Sequence, residues 1–297
     1  MRIAAVGALV AGAFATALPA AAQDSEEFDV WVADLETAAG RVTGVAAARN
    51  VTARPGYDNQ PWFLPDNGGL LYTSRRDGQV EVFQYDLETG SATRVTSTPE
   101  HEFSPSLTAS GHLLVVRWAA DMSEGHLWLY AADGTPLHAA PGDVPRVGYY
   151  AEAGPDHYLV FVNDSVQTIA LSDRRGGEVR KLGERFGGSP PKTIPGAPAS
   201  ASYMMVDEAG DRWIAEYDVT AGRTTPIVKP RGRGSHYAWT PAGEILMADG
   251  NRLFAFRRGD ADWREVASFD EPGLARISRI AVSPDGRRVA LVGQPAD

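Results

Sequence analysis

Cysteine is absent from all 297 residues. Its absence excludes a disulfide framework, a thiolate nucleophile, Cys-ligated zinc, an iron–sulfur centre and lipid attachment through Cys. Lysine is nearly absent as well: only Lys181, Lys192 and Lys229 occur among 28 basic residues. Against 38 acidic residues this gives a net charge of −10, with no long basic run, which excludes a nucleic-acid footprint. Beyond residue 22 no apolar stretch approaches the roughly 18 residues that a spanning helix needs. Sustained helical periodicity is missing from the same region, so the reading turns to strands.

What is present begins with an address. Met1-Arg2 gives a short positive start, Ile3 to Leu18 is an apolar run, and Ala20-Ala21-Ala22 supplies small residues before Gln23. This pattern is that of a cleavable secretory signal peptide over 1–22, cut after Ala22. The mature chain is then expected in the periplasm or the medium, with no membrane span and as a monomer.

A turn rich in Pro, Asp and Gly recurs through the remainder. It reads Pro65-Asp66-Asn67-Gly68, then Thr108-Ala109-Ser110-Gly111, Ala153-Gly154-Pro155, Thr240-Pro241-Ala242-Gly243 and Ser283-Pro284-Asp285-Gly286. Gly68 to Gly111 and Gly243 to Gly286 are both 43 residues apart, and Pro155 lies 44 beyond Gly111. Each period holds four short apolar runs split by turns such as Arg76-Asp77-Gly78 and Glu88-Thr89-Gly90, which is hairpin chemistry. Four strands per repeat of this length predict an all-β propeller of four-stranded antiparallel blades. Five whole blades are expected at about 57–95, 101–140, 144–182, 190–227 and 235–267. Half-repeats at 276–292 and 29–46 complete a sixth, pairing the two ends of a single domain over 23–297.

The Ser283-Pro284-Asp285-Gly286 and Pro65-Asp66-Asn67-Gly68 turns, with Tyr85-Asp86-Leu87-Glu88-Thr89-Gly90, resemble the WD40-like (PD40) repeats of TolB-like six-bladed propellers. The similarity covers roughly 29–292. True WD40 repeats fit less well, because the chain has no Trp-Asp dipeptide. The resemblance implies an exported propeller that contacts other envelope proteins.

In a blade the first strand runs along the central channel, so the loops that lead into first strands gather on one face. That face collects Asp58, Asn59, His101, Glu102, Arg146, His236 and Arg279, together with Gln60 and Lys192 from the same segments. Carboxylate, imidazole and guanidinium groups converging on one axis suit a polar ligand or a partner's peptide segment. Neither a Gly-x-Ser-x-Gly elbow nor a phosphate-binding loop occurs. The expectation is therefore a non-catalytic binding or scaffold protein without a cofactor, engaging an envelope protein or polar ligand at the channel mouth. The alternative is a metal-assisted carbohydrate lyase or lactonase, with a divalent ion held by His101, Glu102 and His236.

Overall fold

Turn chemistry sets the local structure. In the Asp86–Gly90 turn, Asp86 Oδ1 accepts from the amides of Glu88 at 3.0 Å and Thr89 at 2.7 Å. Gly90 then takes a left-handed φ of 71°, open to glycine at no steric cost. The carboxylate is thus used up by its own backbone, and the chain reverses into the next strand.

The computed structural model describes residues 27–175, 179–184, 188–232 and 236–295; the expected leader, 1–22, lies outside them. Six sheets of antiparallel strands form a β-propeller, and the described residues contain no α-helix. Blade one comprises Asp58–Phe63, Gly69–Arg76, Gln79–Asp86 and Ala92–Arg94, counted from the axis outward. Blades two to five begin at the axis with His101–Leu107, Val147–Glu152, Lys192–Thr193 and Tyr237–Trp239. The sixth sheet draws on both ends of the described chain. Arg276–Val282 is innermost, Arg288–Gln294 follows, and Asp29–Ala38 and Arg41–Val45 lie outside it. Asp29 pairs with Gly293 and Asp34 with Arg288 along that antiparallel seam.

Second and third strands are buried on both faces, which explains their continuous apolar runs: Leu113 to Val116 and Val289 to Val292 are at most 2% exposed. Their side chains sort into six apolar clusters among the described residues, each shared by two neighbouring blades. Leu71 and Val82 of blade one meet Leu113 and Tyr130 of blade two, for example. Outer strands are largely exposed. The inner strands are left to line the axis.

Candidate functional site

The inner strands are not regular. Their pairing shifts register at Asn59/Trp62 in blade one, Phe103/Ser106 in blade two, Val147/Tyr149 in blade three and Ile277/Arg279 in blade six. Such bulges bend a strand and re-aim the side chains that follow. Gln60 and Ser104 hold left-handed φ angles of 55° and 51° at these points, a conformation that costs a non-glycine residue about 1–2 kcal/mol. Hydrogen bonds to the Gln60 side chain, one of them between blades, offset that cost. Gln60 Oε1 accepts from the Ser104 amide at 2.7 Å and from Thr73 Oγ1 at 2.8 Å.

The result is a cavity of about 390 Å³ on the axis, and among its lining residues every blade supplies one at an equivalent position of the repeat. These are Gln60, Ser104, Tyr149, Lys192, His236 and Arg279, spaced 43 to 45 residues apart. Arg279 Nη2 donates to Tyr149 Oη at 2.7 Å, and its guanidinium lies 5.2 Å from the centre of that ring. Neither Lys192 nor Arg279 has a carboxylate within 4.0 Å among the described residues. Glu152 is the only acidic side chain among the described lining residues, and it is held by Arg174 Nη1 at 3.2 Å.

Burial, and then the Arg279 guanidinium, push the Lys192 ammonium down to about 8. Burial first, and then Arg279 and Lys192, hold His236 well below its ordinary value, so its imidazole is neutral at pH 7. The ring thus joins two cations to neutral donors and acceptors. A second cavity, of about 420 Å³, continues toward the Pro-Asp-Gly turns between Trp62, Pro195, Trp239, Pro241 and Pro284. Cationic polarity at the centre gives way there to aromatic and proline surface.

Of the seven residues expected at the mouth, His236 and Arg279 share this cavity. Asp58 is fully buried, its Oδ1 accepting from Arg54 Nη2 at 2.9 Å; burial raises its carboxyl above the ordinary range, against the pull of Ser74 and Arg54. Asn59 is buried too, and its Oδ1 accepts from the Gln60 amide at 2.8 Å, which supports the bulge. His101 Nδ1 accepts from the Val80 amide at 3.2 Å, and burial lowers its imidazole. Glu102 Oε1 accepts from Thr98 Oγ1 at 2.5 Å and Tyr130 Oη at 2.8 Å, so it too faces between blades. Arg146 stands on the rim loops, where Nη1 donates to the Ser123 carbonyl at 2.9 Å and Nε lies 3.5 Å from Asp164. In blades one and two the residues just ahead of the bulge are buried and Gln60 and Ser104, at it, line the axis; blades four and five present Lys192 and His236 without a register shift.

Lys192, Tyr149, Ser104 and Gln60 carry the same signal in the sequence as His236: the repeat period, counted from the inner strand. No group of three or more His, Cys, Asp or Glu side chains gathers among the described residues. With His101 and Glu102 directed into a seam and His236 on the axis, those three do not make a ligand set for a divalent ion.

No protein-family model matches the chain, and no curated protein matches it. Solved structures do. A putative TolB from Agrobacterium tumefaciens aligns with a TM-score of 0.65 and 15% identity, covering 92% of this chain and 100% of that one. A gluconolactonase from Xanthomonas campestris aligns at 0.60 with 11% identity, covering 89% and 95%. An oligogalacturonate lyase in complex with manganese aligns at 0.54 with 14% identity, covering 84% and 80%. At such identities the likeness is one of fold, that of a TolB-like six-bladed β-propeller.

Proposed function

We propose that this chain is an exported, non-catalytic binding propeller whose central channel engages a polar ligand or a segment of an envelope protein. The six-residue ring is the observation that carries this reading. It brings cationic, amide, hydroxyl and imidazole groups from all six blades to one cavity, at or beside the inner strands. Export is supported by the leader-like pattern at 1–22, and no helix among the described residues is long and apolar enough to cross a membrane.

Charge reversal separates the channel from its rim. Arg279→Glu is expected to abolish recovery of the partner from a solubilised envelope fraction, while Arg146→Glu retains it. Recovery by both variants would remove the channel from the account.

One observation favours a second reading, a carbohydrate lyase or lactonase acting at the same place. Lys192, brought down to about 8 beside Arg279, is suited to accept a proton next to a carboxylate that the guanidinium neutralises. Two of the fold neighbours are a gluconolactonase and an oligogalacturonate lyase. Incubation with uronate oligomers and with aldonolactones decides the matter: no unsaturated product and no acid release above the buffer blank eliminates this reading.

A further inference from the structure

We infer that the channel takes an organic carboxylate with an apolar, ring-bearing body, its carboxylate between Lys192 and Arg279 and its body between Trp62 and Trp239. This inference rests on the channel being the binding site and adds the chemistry of what it holds.

The chain carries ten more negative than positive formal charges, yet its channel centre holds two cations without a carboxylate within 4.0 Å among the described residues. The acidic lining residue Glu152 is already engaged by Arg174. Two like charges in a confined site raise each other's free energy, and an anion between them relieves both. Arg279 is also set in place beforehand. Tyr149 Oη occupies Nη2 at 2.7 Å, and Nε and Nη1 make no hydrogen bond to the protein among the described residues. Both two-nitrogen edges of a guanidinium include Nη2; Tyr149 takes one of its two N–H groups, and the other, with Nε or Nη1, leaves one edge for a planar, two-oxygen acceptor, the geometry of a carboxylate. His236, being neutral, can donate or accept there without adding charge.

The walls call for an apolar body. A bare inorganic anion would fill a small part of about 390 Å³ and would leave the second cavity, of about 420 Å³, untouched. Trp62, Trp239 and Pro195 border both cavities, so apolar side chains accompany the cations along the channel. Trp62 lies two residues beyond Gln60 and Trp239 three beyond His236, so both indoles follow the polar ring along their segments. A ring a few carbons from its carboxylate lets one molecule touch both the cations and these indoles.

The probe is 3-phenylpropanoate, titrated into the whole protein by calorimetry beside its neutral amide, acetate and inorganic phosphate. The acid is expected to bind at least tenfold more tightly than each of the other three. Arg279→Met and Lys192→Met should each lower its affinity about tenfold and leave the amide unchanged, whereas Trp239→Leu should lower both. Thermal unfolding of each variant verifies that it is folded. Equal affinity for acid and amide would overturn the carboxylate assignment and leave the channel site standing. Phosphate binding as tightly as the acid would overturn the apolar body. Acid affinity unmoved by both Met variants, or no binding of any probe, would overturn the inference as a whole.

Discussion

Glu102 lies fully buried in the seam between blades one and two, close to Glu81, with Thr98 and Tyr130 donating to one of its oxygens. Burial is the largest effect on it, and its carboxyl is raised to about 8. The sign of the consequence follows from linkage. An unfolded glutamate ionises near 4.5, while the folded one keeps its proton until about 8, so between those values the folded state binds more protons and stability falls as pH rises. Glu102→Gln keeps the acceptor and supplies a permanent N–H in place of the acidic proton. The variant should unfold at about the wild-type temperature at pH 5 and several degrees higher at pH 9. Parallel melting curves at the two pH values would show that Glu102 does not set this dependence.

The inner-strand bulge is the element on which the site depends. Gln60 holds a left-handed backbone angle and ties blade one to blade two through Ser104, so Gln60→Ala removes both hydrogen bonds and keeps the strain. The expected loss is about 1–3 kcal/mol in urea unfolding, with the Ser104 amide left unsatisfied. A change within experimental error would mean that the bulge is held by its strand alone. Bulges also limited what could be read beforehand. Strands and turns were legible because hairpin chemistry is local: Asp86 and Gly90, or Asp77 and Gly78, announce a reversal within a few residues. Nothing in Gln60 or Ser104 announces a left-handed angle, and one extra residue in a strand exchanges the side chains that face the axis for those that face a seam. Asp58, Asn59, His101 and Glu102 fall on one side of that exchange, and Gln60, Ser104 and Tyr149 on the other.

At the scale of the whole molecule, the period of about 44 residues carries both the architecture and the ring, because a closed set of similar blades places equivalent positions at equal depth. Lys192 and His236 are 44 apart, as are Gln60 and Ser104. The joint between blades five and six adds a buried charge cluster to its apolar core. Glu244 is fully buried there; its Oε2 accepts from the Val42 amide at 2.6 Å, and Oε1 lies 3.3 Å from Arg41 Nε and 3.4 Å from Arg264 Nη2. Removing one partner of a buried charge cluster costs about 3–5 kcal/mol, so Glu244→Ala should destabilise the propeller by roughly that amount. Limited proteolysis should then cut first within 29–45, the two strands that Glu244 helps to hold; an unchanged digestion pattern would show that this joint is secured elsewhere.

Function is assigned to the ring of six residues at and beside the inner strands, and a crystal structure with 3-phenylpropanoate tests it most directly. The carboxylate is predicted within hydrogen-bonding distance of both Lys192 Nζ and Arg279, with the phenyl ring between Trp62 and Trp239. Ligand density confined to the rim loops around Arg146, or an axis that stays filled with solvent at saturating ligand, would contradict it.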